Sequence, residues 1–316
     1  MHRSINLTEF ILEEEKNHPK AKGNFTLLLM QLEYAGKVIA SHIRKAGLAD
    51  MMGTTGTVNA SQDEVIKIDQ YSNQLLIDTL SASGQVHALA SEELEDIHYV
   101  EKENGEYVVF FDPLDGSSNT EINVTVGTIF SVYHKAENVL QPGNRQVAAG
   151  YILYGTSVMF VYSSGNGVHG FTLDPSVGSF LLSHPNMRIP EKGFTYSINE
   201  GNYSYYDQQT KAYINSLKET GEYKLRYFGS MVTDVHRTLL KGGIFMYPRD
   251  EKNKEGKLRL LFEVNPMSYL FKQAGGIAIT DGGDPLDIVP NSPHQRAPIV
   301  LGSPENVKEY LKYLHS

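Results

Sequence analysis

Acidic residues at four places along the chain could bind divalent cations and activate a water molecule. They are Asp63 with Asp69, Glu92 with Glu93, Asp112 with Asp115, and Glu263. Hard cations such as Mg²⁺ prefer oxygen ligands, and in phosphoryl-transfer sites carboxylates share them with substrate oxygens and water. Such ions can lower the pKa of a water molecule, polarise a phosphoryl group and neutralise the departing alkoxide. The chemistry that these residues indicate is metal-assisted hydrolysis of a phosphate ester.

The segment from Asp112 to Asn119 places cation ligands beside groups that bind anions. Its first half supplies two carboxylates and the main-chain carbonyl of Leu114, in what we predict to be a tight turn after a strand. Gly116, Ser117 and Ser118 follow with backbone N–H groups and hydroxyls, as in anion sites that open helices. Either feature alone has an ordinary explanation, since Asp-Pro-x-Asp-Gly is often only a turn and Glu-Glu often lies on a solvated helix face. The conjunction, with each cluster behind an apolar run, favours a functional site.

Hydrophobic periodicity predicts the elements that must position these carboxylates. Apolar residues recur at three- and four-residue intervals from Phe25 to Ile43, which predicts a helix ending near Gly47, and a second helix is predicted over 71–80. Short apolar runs at 86–90 and 107–111 predict two strands. Their carboxyl ends would deliver the glutamates and aspartates to the edge where open α/β sheets bind ligands.

The rest of the chain predicts a β-rich region and then a return to α/β. Runs of β-branched and aromatic residues between 127 and 182 predict several short strands, and the Gly- and Thr-rich stretch 51–59 predicts a mobile loop. The Pro-containing connection 183–190 is the predicted boundary between an N-terminal domain, 1–190, and a C-terminal domain, 191–316. In the second part we predict helices at 232–240, 260–274 and 306–314 and a strand at 243–247. The predicted class is α/β, or α+β, with two packed subdomains.

The composition excludes several classes of function. Lys and Arg total 28 against 37 Asp and Glu, a formal net charge of −9, which argues against nucleic-acid and anionic-membrane partners because both are usually bound by basic patches. The chain has no cysteine, so disulfides, thiolate metal sites and thiol-based redox control are excluded. No apolar run approaches the length of a membrane span and no secretion signal is evident, which predicts a cytoplasmic protein. The histidines are scattered, and we expect His236 and His294 to be structural rather than ligands.

Three motifs resemble class 1 fructose-1,6-bisphosphatases, which belong to the lithium-sensitive, metal-dependent phosphatases. They are Ser91-Glu92-Glu93, the run from Phe111 to Asn119, and the run from Leu260 to Met267. The likeness extends from about Gly23 to the end of the chain, with shorter matches at 44–47, 148–151, 199–201, 229–231, 234–237 and 294–298. It implies a layered α/β/α/β/α sandwich of the sugar phosphatase type.

The resemblance also implies a role for each candidate residue. The metal ligands would be Glu92, Asp112, the Leu114 carbonyl, Asp115 and Glu263, with Asp63 and Glu93 completing the shells of two or more Mg²⁺ ions per subunit, or of Mn²⁺. Asp69 and Glu93 would orient and deprotonate the attacking water. The 1-phosphate would be held by Asp115, Gly116, Ser117 and Ser118, and Lys257 would contact the sugar phosphate. The 6-phosphate would be bound by Asn199, Tyr227, Tyr247 and Arg226, the last from a neighbouring subunit, which implies a homo-oligomer, usually a tetramer in this family.

Several residues assigned to the sugar phosphate and the 6-phosphate could equally have no role in binding. Taken without the resemblance, Arg226, Tyr227 and Lys257 could be surface polar residues on a strand and a turn. One position also departs from the family, since Asn202 stands where a tyrosine usually follows Asn-Glu-Gly, with Tyr203 next to it.

The region that binds AMP in regulated members of the family differs more. Gly23, Thr26 and Tyr107 match the family, but Glu106 stands in place of a lysine and His134 in place of an arginine. An anion in place of a cation beside a phosphate reverses the sign of the interaction. We therefore expect AMP inhibition to be weak or absent.

The activity that the resemblance implies is hydrolysis of D-fructose 1,6-bisphosphate to D-fructose 6-phosphate and phosphate, a step of gluconeogenesis. One alternative is a sedoheptulose-1,7-bisphosphatase or another sugar or inositol phosphatase. From a different class, the chain could be a catalytically silent regulator that binds a metabolite. The residues for a second phosphate count against a monophosphatase, and the complete set of expected metal ligands counts against a silent regulator.

Overall fold

Seven α-helices lie in the part of the chain that the structure describes. The structure is a computed structural model, and it describes residues 4–16, 23–46, 48, 52–58, 64–101, 105–281 and 283–314. The helices are α1 Leu7–Glu15, α2 Asn24–Ile43, α3 Lys67–Ala82, α4 Gln208–Glu219, α5 Met231–Lys241, α6 Asn265–Gln273 and α7 Pro304–Leu314. The predicted stripe of α2 is confirmed: Leu28, Leu32 and Ile39 are fully buried, because positions three and four apart share one face of a helix. None of these helices is both long and apolar enough to cross a membrane.

An eight-stranded sheet occupies the N-terminal part, after a small antiparallel pair formed by β1 (Thr54–Val58) and β2 (Glu64–Ile66). Its strands are β3 Val86–Ser91, β4 His98–Tyr99, β5 Tyr107–Asp115, β6 Val126–His134, β7 Gln146–Tyr154, β8 Val158–Ser163, β9 Val168–Asp174 and β10 Ser179–Met187. They lie in the order β10-β9-β8-β7-β6-β5-β3-β4. Only β3 and β5 are parallel among the described neighbouring pairs of this sheet.

A five-stranded sheet occupies the C-terminal part. Its strands are β11 Thr195–Ser197, β12 Lys224–Leu225, β13 Ile244–Tyr247, β14 Ile277–Ile279 and β15 Ile299–Gly302, in the order β12-β11-β13-β15-β14. β11 runs parallel to β12 and β13, whereas β15 is antiparallel to β13 and β14. The carboxyl ends of β11 and β13 therefore lie at the same edge.

Three of the four hydrophobic cores among the described residues hold these elements in five layers. In the first core, α1–α3 pack on one face of the large sheet, so that Leu76 of α3 and Phe130 of β6 belong to one cluster. In the second, α5 and α6 fill the space between the sheets, where Tyr151 of β7, Leu270 of α6 and Ile299 of β15 belong to one cluster. In the third, α4 and α7 cover the outer face of the small sheet. The predicted α/β/α/β/α sandwich is confirmed.

Three local predictions are wrong in detail. Part of the stretch 51–59 is a strand rather than a loop, because Thr54 and Val58 pair with β2; Met51 and Asn59 lie outside the described residues. Part of the connection 183–190 continues β10 as far as Met187, and Pro185 is tolerated there because β10 is the edge strand. The helix predicted over 260–274 begins as a π-helical turn, Leu260–Val264, and becomes α-helical only at α6.

Candidate active site

A bulge in β5 turns two aspartates toward the same side of the strand. Asp112 is opposite Ile129 of β6 and Asp115 is opposite Gly127, so three steps along β5 correspond to two along β6. In a regular strand, residues three apart point to opposite faces, and the extra residue of a bulge shifts this alternation by one. The tight turn predicted at Asp112–Asp115 is therefore wrong: this segment is a bulged strand.

Glu92 meets Asp112 because their strands are parallel neighbours. Ser91 is opposite Phe111, and the Glu92 N–H continues the ladder by donating to the Phe111 carbonyl at 3.1 Å. The Glu93 N–H donates to the Ser91 hydroxyl at 3.2 Å, which holds the turn after β3. The prediction that these strands deliver carboxylates at their carboxyl ends is confirmed.

Asp115 binds the amino terminus of α5. Its carboxylate accepts the Ser230 hydroxyl at 2.7 Å, the Val232 N–H at 2.8 Å and the Met231 N–H at 3.3 Å. Ser230 makes no side-chain cap of its own, so Asp115 satisfies the free N–H groups of the helix from another segment. Gly116 has φ 75°, and a Cβ there would lie 2.5 Å from the Cβ of Ser230, so only glycine fits this contact.

Glu263 lies in the π-helical turn before α6, a geometry that often occurs at functional sites. Its carboxylate accepts the backbone N–H of Arg259 at 2.7 Å. The Arg259 guanidinium lies 3.9 Å from the same oxygen and forms an ion pair with Glu92. Because Arg259 is only 7% exposed, this cation is a fixed part of the cluster.

The carboxylates form a buried, mutually repelling group that fits divalent cations. Oxygens of Asp112, Asp115 and Glu263 all lie within 4.8 Å of one another. Burial, followed by the charge of Glu92, raises the pKa of Asp112 well above its usual range and that of Glu263 to about 8, where Arg259 opposes the rise. Burial raises the pKa of Asp115 to about 6 against the three donors of α5. An all-oxygen donor set with this excess of negative charge suits Mg²⁺ or a similar hard cation.

Asp69 lies in the first turn of α3, where the Ser117 hydroxyl donates to it. Burial, then the charges of Glu93 and Glu92, raise its pKa well above the usual range. Its Oδ1 is buried and has no hydrogen-bond partner among the described residues. A buried carboxylate with an unused acceptor, next to a candidate phosphate ligand, is suited to hold a proton or a water molecule.

Most of the predicted site residues line one cavity of about 300 Å³. They are Asp69, Glu92, Glu93, Asp112, Leu114, Asp115, Gly116, Ser117, Ser118, Tyr227, Tyr247, Lys257 and Glu263. Asn199 does not line the cavity among the described residues, but it hydrogen-bonds to the Tyr227 side chain, which also bonds Tyr247. The cavity therefore joins a cation site to a group of neutral hydrogen-bonding side chains.

Two predicted site residues, Arg226 and Asp63, stand apart from the cavity or outside the described residues. Arg226 does not line it, and its guanidinium donates to the carbonyl of Leu225 at 2.8 Å. Asp63 lies outside the described residues. The hydroxyl of Tyr203, next to Asn202, donates to Asn215 of α4 at 3.1 Å.

The two histidines considered in the sequence make contacts that fit a structural role. His236 Nδ1 lies 2.8 Å from the Tyr151 hydroxyl, and burial lowers its pKa to about 4. His294 Nε2 lies 2.6 Å from the Leu94 carbonyl.

Sequence reasoning missed three residues that shape the cavity. Arg259 stands four residues before Glu263, a spacing that suits an ion pair on a helix, but the helix was predicted to begin after it. Ser230 and Asp234 belong to short family-like matches and were assigned no role. Nothing local distinguishes them from an ordinary helix start, since their partners lie in other segments.

A second cavity, of about 920 Å³, lies between α1, α2 and the ends of β5 and β6. The two replaced positions line it: Glu106 accepts the Asn24 amide at 2.9 Å, and the rings of His134 and Tyr107 stack at 5.2 Å. Glu14, Glu15 and Lys135 are the other charged residues among its described lining.

Comparisons with known proteins agree over nearly the whole chain. Residues 5–185 match the family described as Fructose-1-6-bisphosphatase, N-terminal domain, and residues 189–315 match Fructose-1-6-bisphosphatase, C-terminal domain. A class 1 fructose-1,6-bisphosphatase of Persephonella marina is 54% identical over 318 residues, covering 99% of both chains, and a cytosolic fructose-1,6-bisphosphatase of Arabidopsis thaliana is 48% identical over 317 residues, covering 96% of this chain and 93% of the relative. The structure of Leishmania major fructose-1,6-bisphosphatase in holo form superposes with a TM-score of 0.95 at 42% identity, covering 99% of this chain and 100% of that one.

Proposed function

This chain belongs to the fructose-1,6-bisphosphatase family, and we propose that it hydrolyses D-fructose 1,6-bisphosphate to D-fructose 6-phosphate and phosphate, a step of gluconeogenesis. The observation that carries the proposal is the single cavity in which a cluster of buried carboxylates meets Tyr227, Tyr247 and Lys257. The carboxylates suit a phosphate ester undergoing hydrolysis, and the other residues suit the rest of a phosphorylated sugar.

The family is metal-dependent, and we propose Mg²⁺ as the metal of this chain, with two or more ions per subunit. Glu92, Asp112, Asp115, Glu263 and the Leu114 carbonyl would hold the ions, with Asp63 and Glu93 completing the shells. The converging oxygens of Asp112, Asp115 and Glu263 support this assignment. Bound ions supply positive charge for the phosphoryl oxygens and the departing alkoxide.

Around that charge, the chain's own residues orient the substrate and move protons. Asp69 and Glu93 take the proton of the attacking water, because Asp69 has a raised pKa and an unused buried oxygen. The backbone of Gly116 and the groups of Ser117 and Ser118 hold the 1-phosphate together with Asp115. The positive φ of Gly116 and its contact with Ser230 keep this loop close to the cation ligands.

The side of the cavity away from the carboxylates, here called the distal side, selects a second phosphate on the substrate. Tyr227, Tyr247 and Asn199 form a connected hydrogen-bonding group, and Lys257 adds a positive charge next to them. This group supports a bisphosphate over a monophosphate substrate. Sedoheptulose 1,7-bisphosphate carries the same two charges on a longer chain, so it is the competing substrate that the test must include.

Phosphate release from purified protein tests the proposal directly. Fructose 1,6-bisphosphate, sedoheptulose 1,7-bisphosphate and inositol 1-phosphate are compared at equal concentration, with Mg²⁺, with Mn²⁺ and with EDTA. We expect the highest kcat/KM for fructose 1,6-bisphosphate and no release in EDTA. Binding of the sugar without metal-dependent release would instead favour a silent regulator.

We propose that the active protein is a homo-oligomer, usually a tetramer in the family, in which Arg226 reaches the site of a neighbouring subunit. In support, Arg226 does not line its own cavity, and the adjacent Leu225 and Phe228 are 37% and 44% exposed. Mixing subunits tests this: when R226A is refolded with D69N, the D69N subunit supplies its intact Arg226 to the site of an R226A subunit, which keeps its own Asp69. We expect the mixture to exceed the activity of either variant alone, and no gain on mixing would contradict the shared site.

Three further points complete the proposal. AMP inhibition is weak or absent, because Glu106 and His134 replace the expected cations. The chain divides near residue 190, supported by the family matches that meet between 185 and 189. The protein acts in the cytoplasm, as the name of the Arabidopsis relative suggests for that protein.

A further inference from the structure

Asp234 is a buried acid that the chemistry above does not use. It lies in the first turn of α5 and is 1% exposed. Both of its carboxylate oxygens accept the Phe228 N–H, at 3.2 and 3.1 Å. Burial raises its pKa, and the Phe228 N–H, the Ser197 hydroxyl and the Gly229 N–H oppose that rise. The carboxylate therefore faces two segments of the chain: it accepts hydrogen bonds from the Phe228 N–H of one, and the Ser197 hydroxyl of the other lies nearby without forming a hydrogen bond.

The first of these segments, 226–230, lies outside the helices and strands, and a few hydrogen bonds hold its backbone in place. The Arg226 N–H donates to the Tyr196 carbonyl at 2.9 Å, and the Ser230 hydroxyl donates to Asp115 at 2.7 Å. Between these ends, the bond from the Phe228 N–H to Asp234 fixes the backbone directly after Tyr227. The position of the Tyr227 ring therefore depends on Asp234.

The second segment leads from β11 to the other distal residue. Ser197, which lies beside the Asp234 carboxylate, ends β11 two residues before Asn199. The Asn199 side chain in turn hydrogen-bonds to Tyr227. One buried carboxylate thus bonds the backbone next to Tyr227 and faces the Ser197 side chain, two residues before Asn199.

We propose that Asp234 is a positioning residue. It holds the Tyr227 and Asn199 side chains at the relative positions in which together they bind the distal phosphate of the substrate. This inference rests on the proposed function, since it concerns the second phosphate of a bisphosphate. An asparagine at 234 keeps the size of the side chain but offers one acceptor oxygen and turns an N–H group toward another N–H. The segment 226–230 then loses the hydrogen bond from the Phe228 N–H, while the carboxylates proposed to hold the cations are unchanged.

Steady-state kinetics of D234N separate positioning from a general structural role. We expect the KM for fructose 1,6-bisphosphate to rise about tenfold with kcat within about twofold, because a hydrogen bond to a charged group is lost only at the distal side. The Mg²⁺ concentration for half-activation, and kcat/KM for fructose 1-phosphate, should stay within about twofold. T238V is the matched control, because its hydroxyl is buried on the same helix and donates to the Asp234 carbonyl without contacting the segment 226–230.

The results distinguish failure of the proposed function from failure of the positioning role. If the unaltered protein does not hydrolyse fructose 1,6-bisphosphate, the proposed function fails. If that protein is active but D234N behaves as T238V does, or loses activity equally on both substrates, the positioning role fails.

A second variant keeps the inference testable if D234N does not fold. S197A removes a smaller contact of the same carboxylate and should raise the KM about twofold to threefold on the bisphosphate alone. In the folded case, the double variant Y227F/D234N should have a KM no more than about twofold above the larger single effect, because both changes act through the same ring. Independent, multiplying effects would overturn the inference.

Discussion

The Asp115 carboxylate accepts the N–H of Val232 at 2.8 Å, so a candidate metal ligand is held by the amino terminus of a helix. The Ser230 hydroxyl adds a second short bond to the same carboxylate. Within the same first turn, the helix presents Asp234 to the segment that carries Tyr227. Helix α5 is therefore the element that connects the cation site to the distal side of the cavity.

Ser230→Ala should weaken the use of Mg²⁺ without unfolding the protein. It removes the 2.7 Å bond that orients Asp115, and groups that orient metal ligands typically contribute about tenfold in affinity or activity. We expect the Mg²⁺ concentration for half-activation to rise about tenfold in a phosphate-release assay. Ser216→Ala, in which a hydroxyl donates to a helix carbonyl of α4 far from the site, is the control and should leave this concentration unchanged. An unchanged Mg²⁺ requirement in S230A would mean that Asp115 needs no such orientation.

Asp69→Asn should abolish turnover while the substrate still binds. The amide cannot accept a proton from water, and the loss of a general base costs about 10²- to 10⁴-fold in rate. Calorimetry should show a Kd for fructose 1,6-bisphosphate within about threefold of the unaltered protein, and stopped phosphate assays should give the fall in kcat. Asp78→Asn, on the exposed face of the same helix, should keep full activity. A D69N protein with more than about a tenth of the original kcat would contradict the assigned role.

Mg²⁺ should stabilise the folded chain through the carboxylate cluster. Ions that bind only the folded state raise the free energy of unfolding by about 2.7 kcal/mol at a hundredfold excess over Kd. In Asp112→Asn this gain should largely disappear, because one of the three converging carboxylates is lost. The same variant should be more stable than the unaltered protein in EDTA, since it removes a buried carboxylate whose own pKa is raised by burial and by the charges of Glu92, Asp115 and Glu263. Urea unfolding with and without Mg²⁺ measures both effects, and exposed Glu191→Gln should change neither.

The positions of the carboxylates could be predicted where they depend on local pattern. Apolar runs before Glu92 and Asp112 identify β3 and β5, and parallel neighbours bring their carboxyl ends together. The bulge could not be predicted, because it exists only against the shorter run of β6 from Ile129 to Gly127. Without it, Asp112 and Asp115 would point to opposite faces.

Residues whose partners are distant in the chain escaped sequence reasoning for the same physical cause. Arg259 gives no local sign of burial, and only the folded chain brings Glu92 to it. In the sequence, Asp234 resembles an ordinary acid in the first turn of a helix, where its negative charge interacts favourably with the helix dipole. Its bond to Phe228 depends on the path of a segment without regular structure.

AMP should inhibit the unaltered protein by less than about twofold at millimolar concentration. The double variant Glu106→Lys/His134→Arg should gain inhibition, because a charge reversal at a partly exposed site changes the interaction with a phosphate by about 1 kcal/mol or more. Glu137→Lys makes the same charge reversal as Glu106→Lys outside the described lining of the second cavity and should have no effect. Tight, cooperative inhibition of the unaltered protein would show that the replaced side chains are not needed.

The pH dependence of stability should contain a contribution from His236. Burial lowers its pKa to about 4, whereas an unfolded histidine titrates near 6.5, so the unfolded chain binds the extra proton between these values. The contribution is therefore complete above pH 6.5 and is lost as the pH falls toward 4, up to about 3 kcal/mol. Urea unfolding of the protein and of His236→Gln, both in EDTA, should give a stability difference that shrinks across this window, because the variant keeps every other titrating group. A constant difference from pH 7 to pH 4 would mean that His236 titrates normally in the folded chain, and its bond with Tyr151 would then not require a neutral ring.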